Sequence, residues 1–211
     1  MLKIKSFEFN DFGVKTYVLS NENKECFVID PGCYTEKEQK QFDDFIEESQ
    51  FRIQKLLITH CHIDHILGVA HLEDKYGTGA WIHPSGKEFL RASIGYASVF
   101  GFDLERMITP AGFISEGEQL FLDGDKLDVI YTPGHAEGSL CFIDHSQKAV
   151  FTGDVLFNGS IGRTDLPTGD YELLIENIKN KLMVLADDYV VYPGHGPTTT
   201  IGGERRGNPF L

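Results

Sequence analysis

Between Thr59 and His65 the chain reads Thr-His-Cys-His-Ile-Asp-His, so three imidazoles and a carboxylate fall within a few residues. These are donors that divalent zinc, manganese and iron accept as ligands. His60 and His62 are two apart, and on an extended backbone they point the same way. Asp64 and His65 fall where the pattern turns helix-like, at Ile66-Leu67-Gly68-Val69-Ala70, and can face a second point. That predicts two metals side by side. The apolar run Leu56-Leu57-Ile58 just before the cluster argues against a surface loop that is merely rich in histidine.

The same grammar recurs further on. Val129-Ile130-Tyr131-Thr132-Pro133-Gly134 leads to His135, Ala149-Val150-Phe151-Thr152-Gly153 to Asp154, and Tyr189-Val190-Val191-Tyr192-Pro193-Gly194 to His195. Pro-Gly steps turn the backbone sharply at a strand end. A ligand just past a buried strand is held rigidly, which a metal site needs. If these ends share one edge of the fold, one metal takes His60, His62 and His135. The other takes Asp64, His65 and His195, and the two oxygens of Asp154 bridge. Two such metals about 3.5–4 Å apart can share a water and lower its pKa toward about 7, making hydroxide available as a nucleophile. Zinc is the first expectation for both positions, with iron or manganese as alternatives. Asp64 and Asp154 are the carboxylates expected to work beside that hydroxide.

Other candidates carry two readings. Asp30 either caps the turn at Pro31-Gly32 or orients a ligand histidine from outside the metal shell. Arg163 either positions an anionic part of a substrate or pairs with Asp165 or Asp170. His71, His83 and His145 do not follow the strand-end pattern and are expected to be structural or at the surface. The alternation that aims His60 and His62 inward aims Cys61 away, as buried filler.

The elements that must position these residues are legible from periodicity. Residues 2–9, 16–20 and 26–29 read as strands. Thr35-Glu36-Lys37-Glu38 is a capping-box pattern opening a helix with Phe42, Phe45 and Ile46 on one face. A strand is expected at 53–59, then one helix from the histidine motif to about Tyr76-Gly77, a short strand at 79–82, and a helix opened by Pro84. Residues 94–113 hold Tyr96, Phe100, Phe102 and Phe113. They read either as a loop packing its aromatics on the core or as a wall over a pocket. Strands at 119–122, 127–131, 139–143 and 149–151 follow. Asp170 caps a helix with Leu174, Ile178 and Leu182 at spacing four, and 189–192 is a last strand. Residues 202–211 read as a glycine-rich basic tail. Strands then helices, followed by strands then a helix, argue for an α+β fold of two sheets face to face with helices outside, as a single domain over 1–211.

The formal net charge of −13 repels phosphate backbones, so nucleic-acid binding is not expected. No apolar stretch reaches membrane-span length, and the N-terminus lacks a signal-peptide core, so a cytoplasmic protein away from membranes is expected. Cys26, Cys33, Cys61 and Cys141 form no CxxC pair and are expected to be reduced thiols.

His60-x-His62-x-Asp64-His65 with His135, Asp154 and His195 resembles the metallo-β-lactamase superfamily. That resemblance implies a four-layer αββα sandwich of mixed sheets and a dinuclear site. Residues 159–167 and the ending from Gly194 through Glu204-Arg205 to Asn208-Pro209-Phe210 are similar to the short bacterial hydroxyacylglutathione hydrolase (glyoxalase II)-like metallohydrolases. The long form of that enzyme adds a C-terminal helical glutathione-binding domain, which is not expected here because the chain stops soon after His195. It also has a basic residue and an aromatic near Gly162-Arg163-Thr164-Asp165; Arg163 supplies the charge, and Thr164 and Asp165 do not supply the aromatic. The resemblance implies hydrolysis of a small-molecule thioester such as S-lactoylglutathione. Two rivals share the fold. Mononuclear iron persulfide dioxygenases would use His60, His135 and Asp154, and carry an aromatic where this chain has Leu166-Pro167. Phosphodiesterases or nucleases of the superfamily are disfavoured by the acidic surface.

Overall fold

The computed structural model describes residues 1–104 and 106–211. The first sheet contains β1 (Lys3–Phe9), β2 (Val14–Ser20), β3 (Glu25–Ile29), β4 (Arg52–Leu57), β5 (Ala80–Ile82) and β6 (Gly112–Phe113), in that spatial order. Later in the chain come β7 (Gln119–Leu122), β8 (Asp125–Tyr131), β9 (Leu140–Asp144), β10 (Ala149–Gly153), the hairpin β11 (Leu156–Phe157) and β12 (Ser160–Ile161), then β13 (Val190–Pro193) and β14 (Thr199–Thr200). Without the hairpin, these build a second sheet ordered β14-β13-β10-β9-β8-β7. Helices α1 (Glu36–Ser49), α2 (Ile63–Ile66), α3 (Val69–Tyr76) and α4 (Lys87–Val99) belong to the first half, and α5 (Tyr171–Asn177) and α6 (Ile201–Gly207) to the second.

Period-two alternation assigns each strand residue to a layer. Tyr17, Leu19, Phe27, Ile29 and Leu57 of the first sheet meet Leu127, Val129, Leu140, Phe142 and Phe151 of the second in one buried cluster between the sheets. Their sequence neighbours Val18, Val28 and Leu56 face outward to Phe42 and Ile46 of α1 and Val69 and Leu72 of α3. On the far side, Cys141, Ile143 and Val150 pack on Leu174, Ile178 and Leu182, the spacing-four row expected from sequence. The layers are therefore helix, sheet, sheet, helix, the αββα order expected.

Strand direction brings the ligands to one edge. β3 and β4 run parallel, and β10 runs parallel to β13. β9 lies antiparallel to both β8 and β10, so β8 and β10 also point the same way. The ends after β3, β4, β8, β10 and β13 thus carry Asp30, the histidine motif, His135, Asp154 and His195.

Four expectations need correction. The strand expected at 53–59 stops at Leu57, because Thr59 N turns away from the ladder to donate to Asp30 Oδ1 at 2.7 Å. The single helix expected after the motif is two, broken at Leu67-Gly68, where Gly68 N donates to Pro31 O at 2.8 Å. A Cβ at Gly68 would meet Cys33 Sγ at 2.6 Å, so only glycine allows this approach. The expected tail contains α6, whose Thr200 side chain caps Gly203 N at 3.0 Å. Finally, 94–113 is neither of its two readings as a whole: α4 continues through its first part, Phe102 is buried against Tyr34, and Tyr96 and Phe100 are exposed.

Candidate metal centre

The seven residues expected from strand ends meet at that edge. Among the described residues two trios, His60–His62–His135 and Asp64–His65–His195, and a third set that overlaps both, His60–His65–Asp154, could each hold an ion, with donor atoms within 4.8 Å of one another. In the first, His60 Nε2 lies 3.0 Å from His62 Nδ1 and 3.2 Å from His135 Nε2, and His135 Nε2 is 3.0 Å from His62 Nδ1. Donors bound at about 2.0–2.1 Å in a tetrahedron stand about 3.3–3.4 Å apart, so the trio is close to ligating dimensions. In the second, Asp64 Oδ2 is 3.1 Å from His195 Nε2 and 3.4 Å from His65 Nε2. Asp154 lies between the trios, with Oδ1 3.4 Å from His65 Nε2 and Oδ2 3.7 Å from His135 Nε2 and 3.6 Å from His195 Nε2.

Hydrogen bonds on the far ring nitrogens select the tautomers. His135 Nδ1 donates to Arg163 O at 2.8 Å, His195 Nδ1 to Phe12 O at 3.0 Å, and His65 Nδ1 to Asp30 Oδ2 at 2.8 Å. Thr59 Oγ1 gives its proton to Asp30 Oδ2 at 2.6 Å and so accepts from His60 Nδ1 at 3.1 Å. Each bond turns an Nε2 lone pair toward the centre, the arrangement that metal-binding histidines require. Among the described residues, His65 Nε2 and Asp154 Oδ1 are buried with no hydrogen-bond partner. Orphaned polar atoms in the middle of a buried donor set are costly unless a cation satisfies them. The residues fit a pair of divalent ions.

The electrostatics agree. Burial, then the neighbouring imidazoles, holds His60 far below the usual histidine range, and the same causes bring His62 to about 4. Burial also lowers His135. These three are neutral donors. Burial pushes Asp64 and Asp154 up, but the facing histidines outweigh it, and both stay ionised below the usual carboxylate range. His65 and His195 are raised against the burial penalty by the carboxylates they face, so the second trio lies in a negative field that favours a cation.

The structure assigns Asp30 a role beyond capping, since its carboxylate ties His65 directly and His60 through Thr59. Arg163 makes the pair with Asp165 that is one of its two readings, through Nε–Oδ1 at 2.7 Å and Nη2–Oδ2 at 2.6 Å, and it also lines the cleft. His71 bonds Asp43, His83 stacks on Tyr131, and His145 bonds Tyr189; none belongs to the centre. Cys61 and the other cysteines are buried free thiols.

The β1–β2 turn is the part that sequence reasoning missed. Asn10 Nδ2 donates to Gly32 O and Asp64 O, both at 3.0 Å. Lys15 N donates to Gly194 O at 2.7 Å, which brings the turn and its Phe12 carbonyl against His195. Two glycines are needed for close approach: a Cβ at Gly194 would meet Asp154 Oδ1 at 2.2 Å, and one at Gly162 would meet the Asp154 carbonyl. Above the centre a cleft of about 190 Å³ is walled by Phe12, Phe89, Tyr96, Phe100, Leu166 and Pro167.

Residues 10–195 match the family model of the metallo-beta-lactamase superfamily. The chain belongs to that superfamily. It is 42% identical over 193 residues to "Hydroxyacylglutathione hydrolase GloC" of Haemophilus influenzae, covering 90% of this chain and 89% of that one. The solved BLEG-1 B3 metallo-β-lactamase superposes with a TM-score of 0.87 at 33% identity, covering 99% of each chain. A protein solved in a di-iron-bound form superposes with a TM-score of 0.88 at 31% identity, covering 98% of this chain and all (100%) of the other. Family and donor set together make this chain a metal-dependent hydrolase of the metallo-β-lactamase superfamily. No helix among the described residues is long and apolar enough to cross a membrane.

Proposed function

We propose that the protein hydrolyses small-molecule thioesters, such as S-lactoylglutathione, using His60, His62, His135, Asp64, His65 and His195 with Asp154 between them to hold two divalent ions. The observation that carries this reading is the pair of adjoining trios with inward lone pairs. The 42% identical relative bearing the hydroxyacylglutathione hydrolase name supports the substrate class. When bound, the ions supply an acidified water and an electrophile for the carbonyl oxygen. The chain does the rest. Asp30, Arg163 O and Phe12 O fix the ring orientations, so donor geometry costs no reorganisation during reaction. The ionised Asp64, buried at the floor, accepts the proton released as water attacks. The departing group is a thiolate, whose parent thiol has a pKa of about 8.5, so no strong general acid is required. Arg163 stands at the cleft wall as a contact for the substrate, with its charge shared by Asp165.

Zinc is the proposed metal, and the di-iron form of the 31% identical neighbour keeps iron as the alternative. The net charge of −13 supports a small molecule rather than nucleic acid as substrate, and a cytoplasmic setting suits the free thiols. β-Lactam hydrolysis is a second reading, favoured by the 33% identical B3 enzyme. The test is hydrolysis of S-lactoylglutathione and of a chromogenic cephalosporin by metal-loaded protein, beside the His60→Ala variant. Thioester turnover that His60→Ala loses is expected. Cephalosporin turnover alone would replace the substrate, and equal rates in both proteins would remove the site.

A further inference from the structure

The cleft holds a buried polar side chain that the metal centre does not use. Ser93, on α4, lines the cleft, is 2% exposed, and its Oγ has no hydrogen-bond partner among the described residues. A helical serine commonly returns its hydroxyl to the carbonyl one turn back; this one does not. Its neighbours one turn to either side, Phe89 and Tyr96, stack at 6.4 Å, and Phe89 meets His62 edge-on at 5.7 Å. Ser93 is therefore a lone donor set in an aromatic face that runs up to the metal centre. A buried hydroxyl without a partner is a standing penalty, and a ligand acceptor would remove it.

Charge is as informative. Among the described residues Arg163 is the only Lys or Arg lining the cleft, and its Nε and Nη2 are both committed to Asp165. The Asp165 carboxylate offsets that charge, and the chain as a whole is strongly anionic. A glutathione arm brings two carboxylates and one ammonium, so its net negative charge meets an arginine already paired with a carboxylate.

Resting on the thioesterase reading, we propose that the cleft selects thioesters whose arm is uncharged and largely apolar, with one neutral oxygen accepting the Ser93 hydroxyl proton. The apolar length lies on Phe89, Tyr96 and Phe100. Ser93 is thus a specificity-determining residue.

Uncleavable thioethers test this by calorimetry on metal-loaded protein. The probes are S-hexylglutathione, the S-hexyl thioether of N-acetylcysteamine (neutral, one amide), and a hydrocarbon thioether of equal length. The neutral amide probe is expected to bind roughly tenfold or more tighter than the glutathione probe. Ser93→Ala is expected to weaken the amide probe roughly three- to tenfold and leave the hydrocarbon probe unchanged. Tighter binding of S-hexylglutathione, or equal losses for both neutral probes in Ser93→Ala, would overturn the proposal. The S-lactoyl esters of glutathione and N-acetylcysteamine are assayed in parallel. If neither is cleaved, the thioesterase reading falls, while the thioether affinities still decide what the cleft selects.

Discussion

Replacing Asp30 with asparagine isolates the shell around the metals without changing a ligand. The carboxylate accepts three hydrogen bonds, from Thr59 N at 2.7 Å, Thr59 Oγ1 at 2.6 Å and His65 Nδ1 at 2.8 Å, and the residue is 1% exposed. An amide has one accepting oxygen. Placed at Oδ2, it leaves its NH₂ facing the Thr59 N–H. Placed at Oδ1, it turns the NH₂ on His65 and Thr59, and His65 keeps its bond only by moving its proton to Nε2, where the lone pair is needed. Either choice strands a buried donor, at a cost of about 1–3 kcal/mol. Loss of an outer partner typically weakens metal binding about 10–100-fold, or about 1.4–2.7 kcal/mol, and the two figures agree. Competition titration against a chromophoric zinc chelator measures this, with far-UV circular dichroism confirming the fold. The weakening should fall mainly on the position that uses His65. Two wild-type affinities in a folded Asp30→Asn protein would refute the idea that Asp30 orients the ligands.

Arg163→Ala should leave metal affinity unchanged, because His135 is held by the backbone carbonyl; losing the exposed pair with Asp165 should leave the thermal melt almost unmoved. Gly162→Ala should lower metal content and melting temperature together, since its Cβ would collide with the Asp154 carbonyl and come within 3.0 Å of the His135 ring. Glu38 is pushed up by burial but held below its ordinary 4.5 by the N–H groups of Thr35, Tyr34 and Asn10, which outweigh it. A depressed carboxyl stabilises the fold above its unfolded value and loses that contribution as pH falls through the folded one. Urea titrations should therefore find Glu38→Gln less stable than the wild type at pH 7, with the gap closing below about pH 4.5. A gap constant down to pH 2.5 would contradict this.

The residues that gather at the sheet edge were legible because His60, His135, Asp154 and His195 each follow an apolar run, and His62, Asp64 and His65 lie beside the first of them. The layers were legible for a similar reason, since alternation in β2, β3 and β9 divides inner from outer faces residue by residue. What orients the donors was not. Arg163 and Phe12 act on His135 and His195 through carbonyls, which every residue has, so no side-chain pattern marks them. Asn10 was invisible because its partners, Gly32 and Asp64, lie 22 and 54 residues away. The break at Gly68 depends on a contact with Pro31, and the aromatics of 94–113 divide between core and cleft according to where α4 ends. Local pattern names the chemistry, whereas long-range backbone contacts aim it.

The central claim is that two divalent ions sit in adjoining trios. Metal stoichiometry by mass spectrometry on purified, dialysed protein tests it most directly. Two ions per chain are predicted for the wild type, with His62→Ala and His195→Ala each retaining one. Wild-type protein that holds no metal after zinc, iron or manganese is offered, or variants that keep both ions, would contradict it.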